Sequence, residues 1–323
     1  MSSDFSIQEI WNKSFDLKNY EAKPRNYLRA SEIGKPFLDV YLACKGIEPS
    51  NPYDERIMRK FEAGRLFEWL IGNVFRKSGL EVKSNESIPP IEIPDCLRVY
   101  GHYDFLVSGG ANWKEAEERV KAEKFPSGIE SVCLNLVKWL RERYPIVYGP
   151  DGKMIAGLTP ILYEIKSVNS MVFWANSDRL LEAYPEHVLQ LYTYLRGLNM
   201  ESGRILYVSK DDLTLREFEV SKTFDLVTKW MKWVEGVSSY ILNDAQPEPE
   251  PDIVYDSEEV RWDINWKMER SVYLTHITGL SKEDWSAKWR AECTARNRVL
   301  GTEKGKETRK AKRAALAAEG AKA

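Results

Sequence analysis

Two charged residues inside an apolar segment constrain this chain more than any other feature. Residues 161–168 read ILYEIKSV, which has the length and the β-branched and aromatic content of a strand. Alternate residues of a strand share a face, so Glu164 and Lys166 point the same way. Both faces are otherwise largely apolar, as in a central strand covered on both sides. Burying two charges there is costly unless other groups pair with them; the alternative is a Glu–Lys contact on an exposed sheet face.

A second acidic residue lies in another predicted strand. Residues 97–107 read LRVYGHYDFLV and follow a proline-rich stretch, and Asp104 stands between two aromatic residues of this apolar run. Aspartate is disfavoured inside strands, so its position needs a reason. The residue belongs either to a polar site within the sheet or to a turn.

An acidic residue also interrupts the apolar side of a predicted helix. Residues 54–79 carry apolar side chains at helical spacing, and the run ends at a glycine. Glu68 lies on the apolar seam of this helix, where an acid is either paired or bound to a cation. The alternative is a pair with Arg65 or a place at the boundary with solvent.

Three polar residues share one side of a second predicted helix. Residues 185–198 begin with Pro185, and proline favours the first helical turn. Gln190 and Tyr194 are four residues apart and therefore lie on one face. His187 precedes Gln190 by three positions and lies on the same side.

The remaining segments predict additions to an α/β core. A hairpin is predicted at GRILYVSK and TLREFEV around a KDDL turn, followed by an amphipathic helix at 223–242. Near the N-terminus, Ser31 and Gly46 are predicted to mark the two ends of a helix. The predicted core covers residues 1–245 and contains a partly helical insertion at about 109–160, with helices at 113–124 and 129–143 and a GPDG turn at 149–152. An acidic proline-rich linker over 246–256 follows the core. After it we predict a helical tryptophan-rich extension over 257–300 and a basic tail over 301–323 that is disordered or an exposed helix.

The order of these features resembles a nuclease family. The chain has a helix with Glu, a strand with Asp, a strand with Glu-x-Lys, a helix with Gln-x-x-x-Tyr and then a hairpin. This order is similar to that of the RecB-type branch of the PD-(D/E)XK nucleases, which includes lambda-type exonucleases. The matching strings are EAGRLFEWLIGNVFRKSG, VYGHYDFLV, LYEIKSV, PEHVLQLYTYL and ILYVSKDDLTLREFEV, within roughly residues 30–240. The resemblance implies a restriction-endonuclease-like core, in which a mixed central β-sheet of about four to five strands is flanked by helices.

The resemblance also implies roles for the polar residues. Asp104 and Glu164 would bind Mg²⁺ or Mn²⁺, with the backbone carbonyl of Ile165 as a third ligand and Glu68 as an extra one. Lys166 would orient or deprotonate the attacking water, or stabilise charge on the phosphate. Carboxylate oxygens suit these hard ions, which polarise a phosphate and activate water.

The second helix would serve the substrate. Gln190 and Tyr194 would position the DNA backbone or support the site, and His187 lies beside them. The implied activity is metal-dependent hydrolysis of DNA phosphodiester bonds by an exonuclease in recombination, repair or phage DNA metabolism. The alternatives are an endonuclease with the same chemistry and a DNA-binding or structural protein on a nuclease scaffold that no longer cuts.

Two features depart from the family pattern. The stretch between Asp104 and Glu164 is long and contains Pro150-Asp151, which makes Asp151 an alternative metal ligand. We favour Asp104, because GPDG predicts a solvated turn. Some relatives hold a 4Fe–4S cluster with one cysteine before the core and three after it. Only one cysteine follows the core here, so we predict no iron–sulfur cluster.

Composition adds weaker constraints. The net charge is -2, which does not indicate a strongly basic nucleic-acid binder, but acids cluster over 243–260 and basic residues follow Thr302. The spacing of the four cysteines argues against a zinc site. The sequence shows neither an apolar run of roughly 18 residues nor a signal peptide. We therefore expect a cytoplasmic protein (host cytoplasm for a phage protein) that binds DNA and no membrane, while a recombination or replication partner protein is left open.

Overall fold

The structure is a computed structural model that describes most of the chain. It covers residues 22–78, 80–109, 113–122, 129–143, 147–148, 154–156, 158–170, 173, 182–257 and 261–320. The predicted turn at 149–152, and with it the alternative ligand Asp151, lies outside these residues. Within the covered ranges, no helix combines the length and the apolar character that crossing a membrane requires.

A five-stranded mixed sheet forms the centre of the fold. Across the sheet its strands are, in order, β2 (Glu81–Ser87), β4 (His102–Gly109), β7 (Leu158–Val168), β8 (Ser202–Ser209) and β9 (Leu215–Ser221). Strands β7 and β8 run parallel, and every other neighbouring pair is antiparallel. The α/β fold with a mixed central sheet is therefore confirmed, and the predicted hairpin is β8 with β9.

Two helices cover opposite faces of this sheet. Helix α2 (Glu55–Lys77) buries Ile71 and Phe75 in one cluster with Ile165 of β7. Helix α5 (Pro185–Gly197) lies on the other face, where the side chain of Lys166, the next residue of β7, meets Gln190. Both helices closely match their predicted ranges. The strand that carries the charged pair is therefore covered on both sides, as its apolar composition predicts.

Local capping signals fix two of the helix starts. The side chain of Asp54 accepts a hydrogen bond from the Ile57 N–H at 2.7 Å at the start of α2. Thr223 accepts one from the Leu226 N–H at 3.2 Å at the start of α6 (Phe224–Leu242). Such caps satisfy backbone donors that have no partner inside the helix.

The single strand predicted over 97–107 is two strands in the structure. Strand β3 (Arg98–Tyr100) pairs in parallel with β1 (Tyr27–Arg29), whereas β4 belongs to the central sheet. The break is at Gly101, where a Cβ atom would lie 2.7 Å from both Ala30 Cβ and Tyr194 Cε1. No side chain fits at that distance, so the crowding at this point explains the glycine and the change of partner strand.

The described part of the insertion packs on α2. Helices α3 (Trp113–Ala122) and α4 (Ile129–Arg143) confirm the predicted helical segments, and a short hairpin of β5 (Val147–Tyr148) and β6 (Met154–Ala156) follows. Val120, Cys133 and Val137 are buried together with Val74 of α2. These residues of the insertion therefore extend the apolar core.

The chain divides into two compact units. The core unit contains Arg25–Gly34 and Asp54–Ala245, and the C-terminal unit contains Glu21–Pro24, Lys35–Tyr53 and Gln246–Ala323. Residues 35–53 thus group with the C-terminal segment, although the sequence analysis places them in the core. Hydrogen bonds explain the grouping: the Asn51 N–H donates to Val272 O at 2.7 Å, and Asn51 Oδ1 accepts from the Thr275 N–H at 2.8 Å.

The C-terminal unit contains a β-hairpin that the sequence analysis missed. Strands β10 (Ile253–Asp256) and β11 (Arg261–Ile264) pair antiparallel, so the segment 257–300, which is mostly helical as predicted, also contains a strand near its beginning. The helices of this unit are α1 (Phe37–Cys44), α7 (Trp266–Glu269), α8 (Leu274–Thr278) and α9 (Lys282–Gly320). The predicted tail is therefore helical through Gly320.

The predicted cap at Ser31 is also wrong. Ser31 lies inside a 3-10 turn (Ala30–Glu32), and helix α1 begins only after Pro36. Proline suits a helix start because its fixed φ is helical and it has no N–H to satisfy. Gly46, with φ of 71°, follows the end of α1 as predicted.

A buried carboxyl group in the C-terminal unit predicts a pH-dependent stability. Burial raises the pKa of Asp39 to about 6, while the hydrogen bond from Ser271 Oγ at 2.8 Å and the charge of Lys35 oppose the rise and Glu250 adds to it. The folded state therefore favours the protonated form of Asp39. The contribution of Asp39 to the free energy of unfolding is fully present below about pH 4, and it is lost as the pH rises through 6. We expect Asp39→Asn to be more stable than the wild type by about 2–3 kcal/mol above pH 6, and not below pH 4.

Urea unfolding of both proteins at several pH values measures this difference. Glu283→Gln is the control, because Glu283 is an exposed acid of the same unit. A difference between Asp39→Asn and the wild type that stays constant across the pH range would contradict the raised pKa of Asp39.

Candidate active site

The two central strands of the sheet separate at Asp104. The backbone pairing between β4 and β7 ends at Phe105 and Tyr163, although β4 remains paired with β2 as far as His102 and β7 with β8 to its end. Beyond this point the Ile165 N–H donates to Asp104 Oδ2, at 2.7 Å. The Asp104 carboxylate therefore lies in the gap between the strands. This arrangement explains an aspartate inside a strand.

Glu164 and Lys166 form a buried ion pair beside this gap. The Glu164 side chain is 1% exposed, and its Oε1 lies 2.5 Å from Lys166 Nζ. The ammonium group also donates to Gln190 Oε1 at 3.2 Å, and Gln190 Nε2 donates to Tyr194 Oη at 2.8 Å. A chain of polar contacts thus runs from β7 to α5, and the predicted residues Glu164, Lys166, Gln190 and Tyr194 meet in it.

The second oxygen of Glu164 lacks a partner in the part of the chain that the structure covers. Glu164 Oε2 is buried there without a hydrogen bond. A buried carboxylate oxygen left unsatisfied destabilises a protein by roughly 1–3 kcal/mol or more. A divalent cation is one group that would satisfy it, because Mg²⁺ and Mn²⁺ prefer carboxylate oxygens. The donor chemistry of the site therefore fits the metal that the sequence predicts.

Glu68 joins the same electrostatic environment from α2. Arg65 forms its ion pair with Glu62, at 2.5 Å, so the alternative of a Glu68–Arg65 pair is not what the structure shows. Burial raises the pKa of Glu68; Lys166 opposes the rise and Glu164 adds to it. Glu68 therefore lies within electrostatic reach of the Glu164–Lys166 pair.

The site holds more acidic than basic side chains. Burial raises the pKa of Asp104 well above its usual value, Glu164 raises it further, and Lys166 opposes the rise. Burial disfavours the charged form of Lys166, but Glu164 and Asp104 outweigh it, so the pKa of Lys166 is raised. With all groups ionised, the carboxylates of Glu68, Asp104 and Glu164 face one ammonium group. A divalent cation would neutralise this excess.

The carboxylates do not yet form a three-ligand cluster. Among the residues that the structure covers, no three His, Cys, Asp or Glu side chains stand close enough to hold a metal ion together. Lys166 contacts one oxygen of Glu164, and the Ile165 N–H donates to one oxygen of Asp104. Metal binding by Asp104, Glu164, the Ile165 carbonyl and Glu68 therefore stays a prediction.

His187 is held by a residue that sequence analysis missed. Tyr207 of β8 lies opposite Lys166 in the parallel pairing. Its hydroxyl accepts from the Tyr184 N–H at 3.0 Å and lies 2.7 Å from His187 Nδ1. Burial lowers the pKa of His187 to about 3, and the charge of Lys166 lowers it too, so the ring is neutral near pH 7. We expect the hydroxyl to donate to Nδ1, which places the imidazole hydrogen on Nε2.

We expect that in Tyr207→Phe the His187 ring is no longer held in a single tautomer. Without the hydroxyl donor, Nδ1 loses the hydrogen bond that fixes it as an acceptor, so the ring becomes a mixture of both tautomers. Long-range ¹H–¹⁵N NMR spectra of ¹⁵N-histidine-labelled protein measure the tautomer directly. The chain has only 3 histidines, so His102 and His276 serve as internal references. A wild-type His187 that carries its hydrogen on Nδ1 would show the assignment to be wrong.

Comparison with known proteins yields structural neighbours only. No protein-family model and no curated protein matches the sequence. The crystal structure of SSO0001 is similar at 15% identity with a TM-score of 0.41, covering 83% of this chain and 95% of that one. An alkaline exonuclease from Laribacter hongkongensis (LHK-Exo), also solved in complex with dAMP, is similar at 12% identity with a TM-score of 0.38, covering 73% of this chain and 93% of that one. Because these TM-scores are low, the function of this chain is inferred from its own residues.

Proposed function

We propose that this chain is a Mg²⁺- or Mn²⁺-dependent nuclease that hydrolyses DNA phosphodiester bonds, and that it acts as an exonuclease. The observation that carries the proposal is the gap between β4 and β7. It brings Asp104 beside the buried Glu164–Lys166 pair, and one Glu164 oxygen there lacks a partner among the described residues. Carboxylates and a lysine at one buried point are the groups that metal-assisted phosphodiester hydrolysis requires.

The carboxylates are the proposed metal ligands. Asp104 offers the oxygen that does not accept from Ile165, Glu164 offers Oε2, and the Ile165 carbonyl and Glu68 complete the set. When bound, a divalent cation polarises the scissile phosphate, activates water and neutralises developing charge. Because Mg²⁺ keeps several waters, two carboxylates are enough to hold it in such a site.

Lys166 is proposed to act as a charged hydrogen-bond donor. Its pKa is raised, so the ammonium form prevails at neutral pH and the side chain is a poor base. The group is 24% exposed, which leaves it accessible to a substrate oxygen. Among the roles that the family resemblance implies, these properties favour orienting the water or stabilising charge on the phosphate over deprotonating the water.

Helix α5 is proposed to position the DNA backbone. Gln190 holds Lys166 through its amide oxygen, and Tyr194 holds Gln190 through its hydroxyl. His187, with its hydrogen on Nε2, offers a neutral donor close to the same lysine. The neutral polar groups of α5, together with the charged Lys166 of β7, suit the non-bridging oxygens of a phosphodiester.

Digestion of end-labelled DNA tests this function. Linear duplex, single-stranded and circular DNA are each incubated with Mg²⁺, Mn²⁺ or EDTA. We expect release of mononucleotides or short products from the linear substrates with either metal, none in EDTA, and intact circles. Cleaved circles would identify an endonuclease with the same chemistry. DNA binding without cleavage in any metal would overturn the nuclease proposal in favour of a binding scaffold.

A further inference from the structure

The C-terminal unit concentrates stacks between aromatic rings and cations. Within residues 262–296, three tryptophan rings each have a cationic group over them: Arg296 Cζ at 4.6 Å from the Trp262 ring centre, Arg270 Cζ at 5.2 Å from that of Trp266, and Lys288 Nζ at 4.5 Å from that of Trp289. Such pairs occur roughly once per 70–80 residues in proteins. Their density here exceeds that frequency, so this part of the unit needs an explanation beyond average composition.

The core of the unit accounts for only some of its aromatic rings. Trp285 is fully buried with Met268 and Leu274, and its indole N–H donates to Asp252 Oδ1 at 2.6 Å. Tyr255 and Trp266, in contrast, are each 45% exposed. Large rings that stand in solvent contribute little to the stability of the unit. Their exposed surface is therefore available to a partner.

The exposed ring of Tyr255 stands on a rigid support. Tyr255 pairs with Trp262 across the hairpin of β10 and β11, with ring centres 5.4 Å apart. Asn297 of α9 holds the Trp262 backbone at both polar atoms, accepting from its N–H at 2.7 Å and donating to its carbonyl at 2.9 Å. A side chain thus takes the place of a neighbouring strand. The hairpin is fixed to α9, so its rings lose little entropy on binding.

The sequence of helix α9 is rich in basic residues. Residues 282–320, which form α9, contain 11 Lys and Arg against 6 Asp and Glu, a net charge of +5 in a chain whose total is -2. Arg296 is partly neutralised by Glu292, at 2.7 Å. Arg270 and Lys288, however, make no ion pair with any residue that the structure covers. Two of the stacked cations therefore remain available to an anion.

We propose that the C-terminal unit binds single-stranded nucleic acid, with bases stacking on Trp266 and Tyr255 and phosphates contacting Arg270 and Lys288. A single strand fits better than a duplex, because the flat faces of its bases are free to stack on protein rings. The proposal concerns a binding site of its own and does not depend on the proposed nuclease activity. It predicts sequence-independent binding, since every base offers such a face.

Fluorescence anisotropy of labelled oligo(dT) with the full chain, in EDTA, tests the proposal. We expect Trp266→Ala and Tyr255→Ala each to weaken binding by roughly tenfold, as for the loss of one base stack. Phe224→Ala is the matched control, because Phe224 is an 88% exposed ring of the core unit and should leave the Kd unchanged. Circular dichroism melting confirms that each variant is folded, as expected for exposed positions.

Salt dependence supplies a second readout. Removing residues 302–323 takes away much of the basic charge of α9, so we expect a smaller slope of log K against log salt concentration for this truncation. Arg270→Gln should reduce affinity without unfolding the unit. A Kd that stays at the wild-type value in the Trp266 and Tyr255 variants, or that rises equally in Phe224→Ala, would overturn the proposal. The proposal would also be overturned if duplex DNA bound as tightly as oligo(dT) and if neither Trp266→Ala nor Tyr255→Ala changed that affinity.

Discussion

Asp104→Asn should reduce DNA cleavage by roughly a hundred- to a thousandfold while the protein stays folded. A loss of that size is typical when one electrostatic contact to the reacting centre is removed. The asparagine oxygen still accepts from the Ile165 N–H, so the bridge across the gap is kept. Because Glu164 and burial already disfavour the charge on Asp104, removing that charge should not lower the melting temperature in EDTA. Initial rates with Mg²⁺ and thermal unfolding in EDTA measure the two effects.

The matched control for this variant is Asp151→Asn. Asp151 is the alternative ligand because Pro150-Asp151, followed by Glu164 and Lys166, matches the PD-(D/E)XK pattern of the nucleases that the sequence resembles. We expect Asp151→Asn to cleave at close to the wild-type rate. If Asp104→Asn keeps its activity while Asp151→Asn loses it, the metal ligand is Asp151 and the gap between β4 and β7 has a structural role.

Helices and the charged strand could be predicted because their signals are local. The apolar spacing of 54–79 and the cap at Asp54 are both readable within one segment, and the structure has helix α2 there. The shared face of Glu164 and Lys166 follows from the alternation of any strand. Each of these inferences needs only residues that are close together in sequence.

The geometry that makes a site of these residues is not local. The separation of β4 from β7 depends on which strands pair and where the pairing ends, and hydrophobic alternation contains no such information. Tyr207 was missed for the same reason. Its relation to Lys166 exists only in the register of two parallel strands that are about forty residues apart.

Two errors come from weak signals within short elements. Gly101 ends one strand and precedes another because Ala30 and Tyr194 crowd it, and neither residue is its neighbour in sequence. The hairpin of β10 and β11 has strands of only four residues each, and its tryptophan occurs in a region where other tryptophans are helical. Composition alone does not separate these cases, since a ring packs equally well from a strand or a helix.

Lys166→Ala should lose cleavage as well, but unlike Asp104→Asn it should also destabilise the protein. Glu164 is 1% exposed, and Lys166 is its ion-pair partner. Removing one partner of a buried pair leaves an uncompensated charge and typically costs about 3–5 kcal/mol. We therefore expect the free energy of unfolding in EDTA to fall by about 3 kcal/mol. Lys229→Ala is the control: its pair with Asp225, at 2.8 Å, is exposed on both sides, so little change is expected.

Metal addition and a second substitution separate the causes of this loss. If Glu164 binds a divalent cation, Mg²⁺ or Mn²⁺ should restore part of the stability of Lys166→Ala, because a ligand that binds only the folded state stabilises it. Lys166→Ala combined with Glu164→Gln should regain stability in EDTA, since the buried charge is gone, and should no longer respond to metal. Urea unfolding of the four proteins of this cycle, with and without metal, gives the coupling between the two residues. A Lys166→Ala variant that is as stable as Lys229→Ala would contradict the buried ion pair, and with it the electrostatic basis of the site.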